Sequence, residues 1–308
     1  MLDANYIYDE LSPSLPVELE RLIFEILSYD GYDPKQLVIL MLVARRVHEW
    51  IRPILYETFI QSPKARIPDI RRFPAFKIEN VAPLVKNLLI SEELAPPQIK
   101  QFLSHFPNVQ NLAVWTNRTD LANLQDCAEF QGLPLRRLSV FVMDLSRVDL
   151  SGRVFSRITH LELIRARKEP WEAWEPLASL PCLTHLLLES AVPRDIIHNF
   201  MGKCTQLVCL IQLVHAFIVG YWGEEKRLEL CRGPDHRLVS LSYKSASDFM
   251  RDWENGAQGD VNVWIVAERI AAARQRNYFV DSKPCWLSAD LCWEQLLTEA
   301  GLSWYSTL

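Results

Sequence analysis

A short apolar pattern recurs along most of the chain at a nearly constant interval. Each copy reads apolar-x-x-Leu-x-apolar, as in residues 85–90 and 158–163. Successive central leucines are separated by 24, 26, 23, 25, 24 and 31 residues. A period of this length indicates that the chain repeats one supersecondary unit. The central leucines are Leu88, Leu112, Leu138, Leu161, Leu186, Leu210 and Leu241.

Each copy of the pattern predicts a short β-strand whose alternate side chains point inward. Helices are predicted between the strands, over residues 98–106, 120–130, 172–180 and 194–202. One strand and one helix cannot bury their apolar side alone, so neighbouring units must stack. The period is typical of leucine-rich repeats, but their usual asparagine or cysteine, five residues after the central leucine, occurs once, as Asn117. We therefore predict an α/β fold, with an irregular solenoid of parallel strands and helices over residues 59–250.

Residues 15–60 carry a different pattern, that of amphipathic helices. The apolar residues at 19, 22, 23, 26 and 27 share one face of a first helix. A second apolar face begins after Asp33 and Pro34, which suit a helix cap and a first helical turn. This face is extended by Val47 and Trp50, and Pro53 is expected to end or bend it. A module of roughly 45 residues cannot bury a self-sufficient core, so it must pack against the rest of the chain or a partner.

This segment resembles the F-box. The residues that carry the resemblance are, in chain order, Leu15, Pro16, Glu18, Leu19, Ile26, Leu27, Ser28, Leu40, Leu42, Val43, Arg45, Trp50, Leu55 and Tyr56. Residues 15–26 and 40–59 are especially similar to the F-box-like proteins that are expanded in mushroom-forming fungi, here followed by degenerate leucine-rich repeats. The resemblance implies a three-helix F-box-like module that docks a Skp-type adaptor and, through it, a cullin–RING ubiquitin ligase.

The resemblance also implies separate roles for the two parts of the chain. The module would bind the adaptor, and the repeats would hold a protein target for ubiquitylation. The residues expected to contact the adaptor are Leu15, Pro16, Leu19, Leu22, Ile23, Ile26 and Leu40. In the alternative interpretation, the F-box-like helices act as the N-terminal cap of a ligase-independent protein-binding scaffold.

The outward-facing strand positions are expected to line a concave face. Trp115 and Phe141 are large aromatic residues at such positions, and Arg137 lies beside them. Aromatic residues and arginine commonly anchor protein interfaces, so this face is a candidate target-binding surface. A contact between these aromatic residues and the C-terminal tail is the alternative. The predicted target-binding residues are Trp115, Arg137, Phe141, His160, Glu162, His185 and Glu189.

Two histidines are predicted to be neighbours on this face. His160 and His185 occupy equivalent positions in adjacent strands, which lie about 4.8 Å apart, and Glu162 is close to them. A metal site can be drawn from these residues. Two polar side chains on a solvated face are the favoured interpretation, so no metal is predicted.

The repeat pattern breaks near the C-terminus. Residues 260–276 are expected to form one long amphipathic helix that caps the last repeat. Residues 281–308 are rich in tryptophan and leucine, and the sequence does not place them. The predicted layout is a flexible N-terminus at 1–12, an F-box-like domain at 13–58, the solenoid at 59–250 and a C-terminal cap at 251–308.

Composition excludes several classes of function. The net charge of −5 gives no broad basic face, so nucleic acid is not expected as a partner. No apolar run approaches the roughly 20 residues that span a bilayer, so no membrane association is expected. Residues 1–11 contain three acids and no basic residue, unlike a signal peptide. Seven cysteines, an odd number without metal-ligand spacing, favour reduced thiols in a cytoplasmic or nuclear protein.

Motifs that carry covalent chemistry are missing from the sequence. It contains no G-x-G-x-x-G, P-loop, G-x-S-x-G or HExxH motif, and only ten glycines. We therefore expect no enzymatic activity and no cofactor. A receptor of this type would act by bringing its target close to the ligase.

Overall fold

The computed structural model describes residues 15–29, 33–62, 77–91, 94–164, 169–189, 192–221, 235–280, 287–288 and 293–308. The predicted flexible segment, residues 1–12, lies outside the described residues. The chain divides into two compact units, Met1–Thr58 and Phe59–Leu308.

No helix in the described part of the chain is both long and apolar enough to cross a membrane.

The N-terminal unit contains three helices. They are α1 (Val17–Tyr29), α2 (Pro34–Met41) and α3 (Arg45–Leu55). Asp33 caps α2 as predicted, because its carboxylate accepts a hydrogen bond from the backbone N–H of Lys35 at 2.9 Å. The apolar face predicted to continue through Val47 does so on a separate helix, since α2 ends at Met41. Pro53 was predicted to end or bend the helix. It does not end it, because α3 runs past this exposed proline to Leu55.

The core of this unit forms mainly between α2 and α3. Leu37, Val47, Ile51 and Ile54 are buried in it. Half-buried residues surround this core, and they are Phe24, Leu40, Met41, Ala44, Trp50 and Leu55.

A bidentate ion pair joins helix α1 to α3. The guanidinium of Arg46 donates to both carboxylate oxygens of Glu20, at 2.7 and 2.9 Å. This hydrogen-bonded pairing holds the pKa of Glu20 below its usual value. Among the residues of α1, all of which the structure describes, only Ser28 is buried. The ion pair therefore orients a helix that leaves much of its apolar surface exposed.

The second unit is organised by a nine-stranded sheet whose strand order follows chain order. The eight strands β2 to β9 pair in parallel with their neighbours. This sequential parallel order is consistent with a solenoid-like α/β fold. The strands are β1 (Thr58–Gln61), β2 (Asn87–Ile90), β3 (Asn111–Val114), β4 (Arg137–Phe141), β5 (His160–Ile164), β6 (His185–Glu189), β7 (Cys209–His215), β8 (Leu238–Tyr243) and β9 (Leu287–Ser288).

Short helices connect the strands, and those up to Lys203 cover the outer face of the sheet. They are α4 (Pro96–Leu103), α5 (Leu121–Gln125), α6 (Ala128–Gln131), α7 (Trp171–Ala178), α8 (Arg194–Lys203) and α9 (Ala216–Gly220). The predicted helix 120–130 is in fact two short helices, because the turn at Asp126 and Cys127 ends α5 and starts α6. The connection between β4 and β5 uses two 3-10 helices, Leu145–Arg147 and Arg153–Arg157.

Six of the seven predicted central leucines align across the sheet. The residues from Leu88 to Leu210 pair in one continuous register. The seventh assignment is wrong, because Leu210 pairs with Leu238, and Leu241 pairs with Leu213. Both faces of β8 are buried, so apolar residues occur on both sides of the strand and do not fix its register.

The inner face of the sheet is covered by two helices from the C-terminal part of the chain. These are α10 (Ala246–Gln258) and α11 (Val263–Gln275). The predicted domain boundary at residue 250 is wrong, because it falls inside α10. Helix α11 matches the helix predicted for 260–276, but it covers the inner face and does not cap the end of the array. It packs on Leu187, Ile211 and Leu241, whereas β9 lies beside β8 at the sheet edge.

The last described residues pack near α11. They form a 3-10 helix, Trp293–Leu296, and helix α12 (Glu299–Tyr305). Trp293 and Leu297 join the core beneath α11 together with Phe279. The Tyr305 hydroxyl donates a hydrogen bond to Glu294 at 2.8 Å. The C-terminal segment therefore belongs to the same apolar cluster as the inner-face cover.

Helices α10 and α11 approach each other closely at Gly256. A Cβ at this position would lie 2.1 Å from Nδ2 of Asn262. The buried Asn262 side chain caps α11, because it accepts a hydrogen bond from the N–H of Ile265 at 3.2 Å. A glycine inside a helix costs roughly 0.5–1 kcal/mol relative to alanine, and this contact explains why it is present.

We predict that Gly256→Ala destabilises the protein by about 1–2 kcal/mol. The loss of the Asn262 cap and the overpacking together outweigh the gain in helix propensity. The matched control is Gly202→Ala in α8, where a Cβ would meet no atom within 4 Å. This control should leave the protein as stable or more so. Urea unfolding measures both changes, and a stabilising effect of Gly256→Ala would contradict the close approach.

Candidate functional site

Helix α1 and the residues just before it present a row of exposed apolar side chains, which we call the α1 surface. Its members are Leu15, Val17, Leu19, Leu22, Ile23 and Ile26, each between 45% and 58% exposed. Four of them, from Leu19 to Ile26, follow helical spacing along one face. Contiguous apolar patches of this type are uncommon on monomeric proteins and typically mark interaction sites.

Most residues predicted to contact the adaptor lie on this surface. Leu15, Leu19, Leu22, Ile23 and Ile26 are members of it, and Pro16 is exposed beside them. Leu40 differs, because it is half-buried and packs against the core of the unit. Its contact with the adaptor stays a prediction.

Further exposed apolar residues occur at the end of α2 and in the turn that follows it. Val38 and Ile39 are 48% and 65% exposed, and Leu42 and Val43 in the following turn are 81% and 61% exposed. Helix α2 is so short that it buries one residue fully, Leu37. The signal in the sequence was an excess of apolar residues over what an eight-residue helix can bury.

The predicted concave target-binding face is closed. Glu162 and His185 are buried, and Trp115, Arg137 and His160 are half-buried. The two remaining predicted residues, Phe141 and Glu189, are half-buried as well. The expectation of a solvated face is therefore wrong, because α10 and α11 occupy it.

Trp115 contacts helix α10, at a residue that the predicted layout assigned to the solenoid and not to the C-terminal tail. Its ring stacks on Phe249 of α10 with centroids 4.9 Å apart. Phe249 also packs near Tyr243, whose hydroxyl donates a hydrogen bond to Glu189. These contacts link β3, β6 and β8 to one face of α10.

A polar network continues from Trp115 beneath this cover. The indole N–H of Trp115 donates to the hydroxyl of Ser139 at 2.7 Å, and that hydroxyl hydrogen-bonds to the carboxyl group of Glu162. Burial nevertheless raises the pKa of Glu162 to about 8. Burial also raises the pKa of Asp252 in α10 to about 7, although its carboxylate accepts a hydrogen bond from the N–H of Val263 at 2.7 Å. Two acids with raised pKa values thus face each other across the sheet–helix boundary.

The two predicted neighbours, His160 and His185, form a stacked pair. Their rings are parallel to within 2°, with centroids 4.2 Å apart, and Trp264 of α11 packs edge-on against both. Nδ1 of each ring lies 2.9 Å from the hydroxyl of the preceding threonine, Thr159 or Thr184. Burial lowers the pKa of His160 to about 3 and also lowers that of His185. Both rings are therefore neutral at physiological pH.

Glu268 of α11 is an acid in direct contact with this pair. A carboxylate oxygen of Glu268 lies 2.9 Å from Nε2 of His185. Among the described residues, His160, His185 and Glu268 place possible ligand atoms within 4.8 Å of one another. A metal ion needs donor atoms that converge on one point, whereas stacked rings direct their Nε2 atoms side by side. The geometry favours a structural pair beside an exposed acid.

No protein-family model matches the sequence, and no match is found among curated proteins.

We predict that the free energy of unfolding falls as the pH rises from about 6.5 to about 8. The ordinary pKa values of Glu162 and Asp252 are 4.5 and 3.8, and folding raises them to about 8 and about 7. Below about pH 6.5 the unfolded state protonates His160 and His185, whose pKa values folding lowers, and this offsets the two acids. Above that pH the folded state binds more protons than the unfolded state, so stability is lost as the pH rises.

Glu162→Gln should flatten this pH dependence and stabilise the protein at pH 8 by roughly 2–4 kcal/mol, with little change at pH 4. The control is Glu254→Gln, on α10 but outside the network. It should change neither the pH dependence nor the stability at pH 8. Thermal or urea unfolding at several pH values provides the measurement. A wild-type slope retained in Glu162→Gln would contradict the assignment.

Proposed function

We propose that this chain is the substrate-recognition subunit of a cullin–RING ubiquitin ligase of the Skp–cullin–F-box type. In this proposal the α1 surface docks a Skp-type adaptor, and the second unit recruits a protein target. The observation that supports it is the α1 surface itself. Its apolar row coincides with the segment that resembles the F-box.

The chemistry of the α1 surface suits a protein partner. Burial of one exposed leucine or isoleucine side chain contributes about 1.5–3 kcal/mol, and the surface offers several in a row. An amphipathic helix that lays its apolar face into a groove is a common mode of recognition. Glu18, Arg21 and Glu25 lie on α1 outside the apolar row. They provide the polar rim that surrounds the apolar centre of such interfaces.

The second unit is proposed to act by proximity. A receptor of this type forms no covalent bond, and instead raises the effective concentration of its target near the ligase. The seven residues predicted for target binding are not proposed as contacts, because the C-terminal helices cover the inner face. A target would bind an outer surface of this unit.

We predict that the double variant Leu19→Asp/Ile23→Asp loses adaptor binding by at least about 100-fold. Each substitution removes an apolar contact and places a charge in the interface. The fold should persist, because these side chains are 49% and 46% exposed. Affinity is measured by calorimetry or surface plasmon resonance with a purified Skp-type adaptor.

The matched control is the double variant Val208→Asp/Val280→Asp. It introduces the same charges at exposed valines of the second unit, which are 46% and 73% exposed. Circular dichroism of both variants checks that the fold is retained. Wild-type affinity in the α1 variant, or no affinity in the wild-type chain, would overturn the docking proposal. The latter result would favour the alternative in which these helices are a cap.

A further inference from the structure

Helix α2 and the turn after it carry aliphatic side chains on two opposite faces. On one face, Leu37, Leu40 and Met41 pack in the core of the N-terminal unit. The other face is exposed, and we call it the α2 surface. Its members are Val38, Ile39, Leu42 and Val43, each between 48% and 81% exposed. A helix that is apolar all round is normally buried, so this second face indicates a contact beyond the core.

Two contacts show where this surface lies within the unit. Arg46 follows Val43 by three residues, and its guanidinium donates to both carboxylate oxygens of Glu20 in the first turns of α1. At the other end of α2, Nε2 of Gln36 donates to the carbonyl oxygen of Leu27, near the end of α1. Helices α1 and α2 therefore run in opposite directions, and the α2 surface extends toward the end of the unit where the chain enters α1.

The segment that precedes α1 has a composition that suits an apolar surface. Residues 1–12 contain seven hydrophobic residues, three acids and no basic residue. Four of the hydrophobic residues follow the spacing i, i+3, i+4 and i+7, which is that of one helical face. These four are Ala4, Ile7, Tyr8 and Leu11. The acids fall outside this face, and they are Asp3, Asp9 and Glu10.

The charges of this segment and of the helices that follow α1 are complementary. Residues 33–55, which include α2 and α3, contain four Lys or Arg residues and two acids, and therefore carry a net charge of +2. Lys35 is exposed one helical turn before Val38. Arg45 follows the turn, and its side chain is 95% exposed in an ion pair that such exposure makes weak. These two cations border the α2 surface and can attract the acids of residues 1–12.

Residues 1–12 are long enough to reach the α2 surface. Only Pro13 and Ser14 separate them from Leu15, the first residue that the structure describes. An extended chain of 12 residues spans about 40 Å, whereas the longest helix of the unit, α1, is about 20 Å long. A short tether holds a segment at an effective concentration of the order of 1 mM, so a weak intrinsic affinity is enough for binding.

We propose that residues 1–12 bind the α2 surface of the same chain as an internal ligand. Ile7, Tyr8 and Leu11 cover the aliphatic side chains, and the acids of the segment pair with Lys35 and Arg45. A partner that recognises the α2 surface has to displace this segment first. The inference goes beyond adaptor docking, which rests on the α1 surface and is tested separately.

Millisecond amide hydrogen exchange on the full chain tests the proposal from the side of the segment. The double variant Ile7→Asp/Leu11→Asp places charges on the proposed binding face, so exchange within residues 38–44 should become at least about 5-fold faster. The matched control is Leu2→Asp/Tyr6→Asp, which introduces the same charges on the opposite helical face and should exchange as wild type. Equal exchange of residues 38–44 in the wild type and in Ile7→Asp/Leu11→Asp would overturn the proposal.

Variants of the α2 surface provide the reciprocal test. Ile39→Asp/Leu42→Asp should speed exchange within residues 1–12, and the fold should persist because both side chains are exposed. The control Val208→Asp/Val280→Asp carries the same charges on the second unit and should leave exchange within residues 1–12 unchanged. The protection should also be independent of protein concentration. Protection that grows with concentration would mean that the segment binds a second copy of the chain, and would overturn the assignment.

A labelled peptide of residues 1–12 tests the contact without relying on exchange rates. Fluorescence anisotropy should show saturable 1:1 binding to the full-length Ile7→Asp/Leu11→Asp variant, at least about 10-fold tighter than to the wild type, whose own segment competes. Adding Ile39→Asp/Leu42→Asp to that variant should abolish binding. No saturable binding below about 1 mM would overturn the proposal, since a tethered segment of such low affinity would remain mostly unbound.

Discussion

The parallel sheet of the second unit is apolar on both faces, and both faces have to be covered. On the outer face, the leucines from Leu88 to Leu210 pack against the connecting helices. On the inner face, Leu187, Ile211 and Leu213 pack against α11. Parallel sheets typically require cover on both sides. The C-terminal helices are therefore an integral part of this unit, since without them a row of aliphatic side chains would face water.

This requirement explains which parts of the fold the sequence predicted. The spacing of Leu88 to Leu210 fixed the strands and their register, because each leucine must reach the same outer core. The same reasoning failed at Leu241, since apolar residues on both faces of β8 allow more than one register. It also missed α10, which packs through Trp253 on Leu89 and through Phe249 on Trp115, residues that lie far earlier in the chain.

The same distinction applies to the candidate sites. Features set by local spacing could be predicted, and features set by tertiary packing could not. The α1 surface could be predicted from helical spacing, because Leu19 to Ile26 share a face regardless of the surrounding fold. The stacked pair of His160 and His185 could also be predicted, since equivalent strand positions become neighbours. Glu268 and Asp252 were missed, because helices far along the chain bring them to the sheet. Tertiary packing of this type leaves no short-range signal in a single sequence.

The account therefore separates an open apolar surface on α1 from a closed inner face on the second unit. Amide hydrogen exchange of the chain alone and with a Skp-type adaptor tests this separation most directly. The account predicts that the adaptor slows exchange within Val17–Tyr29 and leaves exchange in Ala246–Gln258 and Val263–Gln275 unchanged. Slower exchange in those two C-terminal helices, with no change in α1, would contradict it.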